Sequence, residues 1–259
     1  MTGPVRAWAE VLENREAALD TRWLLLDAPD VARSSQPGQF VMIGFGLEDV
    51  GAPFLPRPFS VGWCSPDGRI GLLVRSFGRG TRRLSGLEAG ERALVLGPLG
   101  RGFALEDGGP ILCVAGGVGL APFLFVGARA WTAGIPVTIV YGERSADRVF
   151  SPALIRELTG VTPEIWTEDG SKGRQGLVLD DLDLGSDPVV LGCGPTPMLR
   201  ALVRLARNRG VRLQVSVEEH MGCGIGTCQG CVVPSADGRW IRSCIDGPVF
   251  DARELLWRI

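Results

Sequence analysis

Cys223, Cys228, Cys231 and Cys244 are the residues of this 259-residue sequence whose type and spacing most clearly promise chemistry. The first three lie in Cys223-Gly224-Ile225-Gly226-Thr227-Cys228-Gln229-Gly230-Cys231, and twelve residues then lead to Cys244. C-x4-C-x2-C…C is the ligand spacing of a plant-type [2Fe–2S] centre. One loop reaches two irons only by folding back. Gly222, Gly224, Gly226 and Gly230 allow that fold and let backbone N–H groups approach sulfur. A four-thiolate zinc site can use the same residues, although zinc knuckles usually pair two short C-x2-4-C hooks. Disulfides are the other alternative, but seven cysteines is an odd number and no secretory signal precedes Val5. A Rieske centre needs two histidines, and His220 stands alone. The expected chemistry is single-electron transfer, with the four cysteines as metal ligands.

Two further groups of residues suit nucleotides. Arg57-Pro58-Phe59-Ser60 offers a guanidinium fork for a pyrophosphate, an aromatic surface for an isoalloxazine and a hydroxyl for its reactive edge. Leu73-Val74-Arg75 follows, and then Gly80-Thr81, where a helix start can seat a phosphate. Taken singly, Gly80-Thr81 reads as an ordinary helix cap. In this order, ahead of an α/β segment, the pieces favour a dinucleotide flavin, FAD. For a nicotinamide coenzyme the candidates are Gly116, Gly117 and Gly119, between an apolar run and Pro122, and the later Cys193-Gly194-Pro195. A tight strand–helix turn with no ligand remains an alternative for each. Arg144 and Arg148 are candidates for a 2′-phosphate or for plain solvated charge. Cys64 and Cys113 read as core residues.

The elements that must position these groups fall into three blocks. Short apolar runs at Trp8–Leu12, Trp23–Leu26, Gln39–Phe45, Phe59–Trp63, Ile70–Val74 and Ala93–Leu96, divided by turn signals, predict an antiparallel β-barrel over residues 1–106. Strand-like runs Ile111–Ala115, Val137–Tyr141, Glu164–Trp166, Val189–Leu191 and Leu213–Val217 alternate with helical stretches Ala121–Trp131, Ala153–Leu158 and Pro195–Arg209. That predicts a parallel α/β domain over 107–217. Residues 218–259 form the cysteine module, with a hairpin turn at Ala236-Asp237-Gly238 and an amphipathic closing segment Ala252–Arg258. The uncharged run Ile111–Ala128 approaches membrane-span length, yet Gly116, Gly117, Gly119 and Pro122 interrupt it, so strand, turn and helix are expected. A net charge of -2 from 27 basic and 29 acidic side chains gives no basic excess for nucleic acid. A soluble, cytoplasmic protein is expected.

Flavin barrel followed by nicotinamide domain resembles the ferredoxin–NADP reductase superfamily. Ser216-Val217-Glu218-Glu219-His220-Met221-Gly222-Cys223, together with Gly97-Pro98-Leu99-Gly100-Arg101-Gly102-Phe103 and Asp246-Gly247-Pro248-Val249-Phe250, is similar to the electron-transfer subunits of NAD-dependent, class IB dihydroorotate dehydrogenases. The resemblance spans nearly the whole chain. It implies bound FAD, one [2Fe–2S] cluster, NAD as coenzyme, and an FMN-containing dihydroorotate dehydrogenase catalytic subunit as partner in a heterotetramer. It implies no catalytic side chain in this chain. Other partners remain open: related FAD/[2Fe–2S] subunits serve ferredoxin, sulfide or hydrogenase chemistry, and some carry aspartate in place of one cysteine. A zinc-stabilised, non-redox binding module is the alternative of another class.

Overall fold

The computed structural model describes residues 3–46, 55–105, 109–185 and 188–257. The first block is an antiparallel sheet of β1 (Val5–Ala18), β2 (Thr21–Asp27), β3 (Phe40–Gly44), β4 (Arg57–Ser60), β5 (Trp63–Cys64), β6 (Arg69–Arg75) and β7 (Arg92–Leu99), ordered β4-β3-β7-β1-β2-β6-β5. The sheet curls because alternate residues face inward. Val11, Leu24, Leu26, Val41, Ile43, Ile70, Leu72 and Val95 fill the interior, together with Leu84 and Leu87. Two short helices, α1 (Pro29–Ser34) and α2 (Arg79–Ser85), belong to this block. The expected run Phe59–Trp63 is broken: β4 ends at Ser60, and Gly62 donates its N–H to Gly71 O at 2.9 Å, closing the barrel on β6.

The second block contains β8 (Ile111–Gly116), α3 (Ala121–Ala133), β9 (Val137–Glu143), α4 (Pro152–Thr159), β10 (Glu164–Thr167), β11 (Arg174–Gln175), β12 (Val189–Cys193), α5 (Thr196–Arg209) and β13 (Leu213–Ser216). Its strands run parallel, with crossover helices on the two faces, so the central strands β8 and β12 are apolar throughout rather than alternating. The uncharged stretch Ile111–Ala128 is indeed strand, turn and helix. Ala121–Gly127 is buried all round because α3 lies between this sheet and the barrel. Trp23 and Leu73 of the barrel pack in one cluster with Leu120, Phe123, Leu124, Tyr141 and Phe150. Burying such side chains contributes about 1.5–3 kcal/mol each, so the two blocks share a core instead of merely touching.

The C-terminal residues contribute a hairpin, β14 (Val232–Pro234) and β15 (Trp240–Arg242), turning at Gly238 with φ 83°. They also supply β16 (Val249–Asp251), which pairs antiparallel with β13 as the edge strand of the nucleotide sheet. The closing segment is not a helix. Residues 252–254 are turns, and Leu255 makes an isolated bridge to Ser235. Arg258 lies outside the described residues. No helix among the described residues is long and apolar enough to cross a membrane.

Candidate functional site

The cysteine loop lies against one wall of the barrel. Cys231 and Cys244 are buried in a cluster with Phe40 and Met42 of β3 and Leu99 of β7. A Cβ at Gly224, whose φ is +73°, would come within 2.5 Å of Met42 Cγ. Glycine is therefore required for the loop to press this close. The thiols associate in two pairs. Cys223 Sγ accepts the backbone N–H of Cys228 at 3.4 Å and interacts with the Cys228 thiol. Cys244 neighbours the Cys231 thiol in the same way and also feels the charge of Cys223. All seven cysteines are free thiols in this structure.

The electrostatics of this set call for a cation. Burial raises the Cys223 thiol, but N–H groups of Cys228, Ile225 and Thr227 outweigh it and hold the thiol down at about 7. Burial, then the Cys231 thiol and its charge, push Cys244 up to about 12. Held so high, the Cys244 thiol does not ionise near neutral pH unaided, and a bound metal would supply the positive charge its thiolate needs. Among the described residues no group of three or more His, Cys, Asp or Glu is drawn tightly enough together to hold a metal ion as it stands. The Cys223–Cys228 and Cys231–Cys244 pairings are the ones in which the four thiolates would be shared between the two irons of a [2Fe–2S] cluster. Ser243, beside Cys244, is fully buried with an unpartnered hydroxyl, a donor for which the protein alone supplies no acceptor. The residues fit the cluster.

On the barrel, β4 pairs only with β3 among the described residues, and Leu72–Arg75 of β6 pairs only with β2. Two strand edges with unused backbone groups thus border one slot. Arg57 stands on β4, donating to Leu55 O at 2.5 Å, and its guanidinium lies over Gly80 at the start of α2. Arg57 and Gly80 therefore meet, with β4 and α2 both against β6, a setting that a flavin dinucleotide would fit. Thr81 also does the plainer job: its Oγ1 accepts the N–H groups of Phe77 and Gly78, each at 3.0 Å. The Arg75 guanidinium turns away from the slot and forms an ion pair with Glu143.

The nicotinamide candidates also meet. A Cβ at Gly119 would stand 2.3 Å from Cys193 O, and one at Gly116 would stand 2.9 Å from Pro195 Cδ. Those two glycines are demanded by loop-against-loop packing. Gly117, at φ +59°, instead borders Arg75 and Glu143. The turn over residues 117–120 begins without a side-chain cap and runs directly into α3, Ala121 N–H donating to Val118 O, so the N–H groups available to an anion are those of the turn, at the carboxyl ends of the parallel strands. Arg148 is directed to Asp20 of the barrel at 3.9 Å, whereas Arg144 is exposed.

Three residues of this recess escaped the sequence reading. Glu143 ends β9 beside the glycine turn, a position that strand-end reasoning alone could have marked. Thr21 carried no signal, and Glu218 stood out only as part of the stretch that carries the resemblance. Glu218 lies on the surface, where desolvation raises its carboxyl and the charge of Arg75 opposes that rise. Cys193 is raised by burial and then by the charge of Glu218, while Ser216 opposes. Cys64, pushed up to about 12 by burial, and Cys113, raised by burial alone, behave as core thiols.

Residues 218–256 match the family described as the iron-sulfur cluster binding domain of dihydroorotate dehydrogenase B. The dihydroorotate dehydrogenase B (NAD(+)) electron transfer subunit of Shouchella clausii is 38% identical over 256 residues, covering 95% of this chain and 96% of that one. The chain belongs to this family of electron transfer subunits. The Geobacillus thermodenitrificans member is 39% identical, with 95% and 96% covered. Among solved structures, an NADH-dependent reduced ferredoxin–NADP oxidoreductase superposes with TM-score 0.83 at 29% identity, covering 97% of this chain and 90% of that one. The FAD/NAD binding domain of a Vibrio cholerae nitric oxide dioxygenase superposes with TM-score 0.70 at 21% identity, over 80% of this chain and 97% of that one. Barrel, nucleotide sheet and C-terminal cysteine module are thus the architecture of flavin- and nicotinamide-dependent oxidoreductases.

Proposed function

We propose that this chain is the electron-transfer subunit of an NAD-linked dihydroorotate dehydrogenase, carrying FAD and one [2Fe–2S] cluster between a catalytic subunit and NAD. The observation that carries the reading is the pairing of four thiols against the flavin barrel, in a chain that matches such subunits from end to end. Nicotinamide exchanges electrons in pairs and an iron–sulfur cluster singly, so a flavin, which does both, must stand between them.

In this reading residues 1–106 hold FAD, 107–217 hold NAD and 218–259 hold the cluster. Cys223, Cys228, Cys231 and Cys244 ligate the two irons. Arg57 places its charge at the pyrophosphate, Phe59 packs on the ring, and Ser60 offers a hydroxyl to its edge. Pro58 shapes the strand start. Leu73, Val74 and Arg75 contribute backbone edge, and Gly80 and Thr81 bring α2 close to phosphate. Gly116, Gly117 and Gly119 seat the coenzyme phosphates, while Cys193, Gly194 and Pro195 border its nicotinamide.

No side chain here is assigned to dihydroorotate chemistry. That step belongs to an FMN-containing partner, and the assembly is a cytoplasmic heterotetramer. Exposed Ile225 and Ile245 flank the cysteine loop and form the partner-facing surface, where single electrons have the shortest path out.

Copurification tests the reading. The chain should bring down an FMN-bearing subunit, and the pair together should reduce NAD+ with dihydroorotate as sole donor. A preparation that reduces only ferredoxin or polysulfide, with no response to dihydroorotate, overturns it.

A further inference from the structure

All three parts of the chain face one guanidinium. Arg75 leaves the end of β6 and donates from Nε to Thr21 Oγ1 at 3.2 Å, fixing its stem to the barrel. Its tip pairs with Glu143 at the end of β9, in the nucleotide block. Glu143 Oε1 also accepts the Tyr141 hydroxyl at 3.2 Å, and Tyr141 Oη in turn accepts the Phe150 N–H at 3.4 Å. A Cβ at Gly117 would lie 3.3 Å from Arg75 Nη1 and 3.8 Å from Glu143 Oε1, so the pair sits directly against the glycine turn. Glu218, at the entry to the cysteine module, feels the charge of Arg75. The same boundary is reinforced by Leu19 N–H donating to Asp147 O at 2.8 Å.

We propose that Arg75 and Glu143 act as one positioning unit, tying the Gly117 turn to the flavin barrel and so fixing the width of the cleft that the nicotinamide enters. The inference rests on the proposed function and adds to it the residues that set the approach of coenzyme to flavin. Exchange between those rings moves two electrons and one proton together as hydride, from the coenzyme to the flavin or back. Such a transfer depends steeply on approach distance, so a loosened turn costs rate even when the coenzyme still binds. The ion pair is well placed for this because Glu143 is almost wholly buried, with its side chain only 4% exposed, and Arg75 is 21% exposed. Removing one partner leaves the other without compensation, whereas removing both does not.

The test uses the FAD- and cluster-loaded protein with Arg75→Met, Glu143→Gln and the double variant. Flavin and iron content are measured first, followed by NADH titration with stopped-flow reduction and amide hydrogen exchange of residues 117–120. Each single variant should slow flavin reduction at saturating NADH about tenfold. The dissociation constant should move less than about threefold, the long-wavelength nicotinamide–flavin charge-transfer band should fade, and exchange at the turn should quicken. The double variant should be no worse than the poorer single one, the mark of a single unit. Unchanged exchange with unchanged rate overturns the proposal, as do losses that multiply in the double variant. A rise confined to the dissociation constant overturns it too. If wild-type flavin is not reduced by NADH, the proposed function fails, and the exchange measurement still decides whether the pair ties the turn.

Discussion

Gly80 lies beneath the Arg57 guanidinium: a Cβ built there would stand 2.9 Å from Arg57 Nε and 3.1 Å from Cζ. Two residues 23 positions apart in sequence thus share one seat, on facing sides of the slot between β4 and β6. Gly80→Val should displace the guanidinium and weaken FAD retention at least about tenfold, or roughly 1.4 kcal/mol. Gly78→Ala, where a Cβ meets nothing within 4 Å, is the control and should retain flavin. Fluorescence of released FAD on dilution measures both.

The contact between Gly119 and Cys193 makes a second prediction. With Cys193 O only 2.3 Å from a Cβ at Gly119, an alanine there must force the glycine turn and the Cys193–Pro195 loop apart. Gly119→Ala should raise the dissociation constant for NADH about tenfold, since the phosphate seat depends on close backbone approach. Flavin and iron content should stay the same, because neither the barrel slot nor the cysteine loop includes that turn. Titration followed by flavin absorbance, with cofactor analysis alongside, checks both halves.

Asp251 gives a dependence on pH. The Arg253 guanidinium, bonded at 2.6 Å, holds the Asp251 carboxyl below its usual range, on the strand that joins the cysteine module to the nucleotide sheet. A depressed carboxylate stabilises the fold above its unfolded pKa, and that stabilisation disappears as pH falls through the lower folded value. Arg253 is mostly exposed, so solvent screening keeps the effect small. Asp251→Asn should therefore lower stability slightly at pH 7, and the difference from wild type should shrink as pH falls from the usual carboxylate range through the lower folded value. Denaturant midpoints across that pH range provide the measurement.

Much of this was legible in the sequence because the relevant signals are local. Apolar runs and glycine turns marked most barrel and parallel strands to within a few residues, but β1 runs six residues beyond the expected Leu12, Phe59–Trp63 falls into two strands, and the short β11 carried no apolar signal. The cysteine spacing identified its own chemistry, and the turn at Ala236-Asp237-Gly238 is where β14 and β15 reverse. Pairing across long separations was not legible. β16 is three residues long, and only its partner β13 makes it a strand. Ala252–Arg258 has helical patterning, yet its described part is bent into turns by contacts with Ser235 and Pro234. Arg75 read as a flavin residue because its neighbours do. Nothing in the sequence shows that its side chain crosses to Glu143, 68 residues on.

The central claim is that four thiols hold two irons, and metal analysis of anaerobically purified protein tests it most directly. Wild type should contain two irons and two acid-labile sulfides per FAD, and after reduction one unpaired electron per two irons by electron paramagnetic resonance. Cys231→Ala and Cys244→Ala should lose both metals and signal, while Cys64→Ser should keep them. One zinc per chain with no paramagnetic signal, or full iron content in Cys231→Ala, would contradict the account.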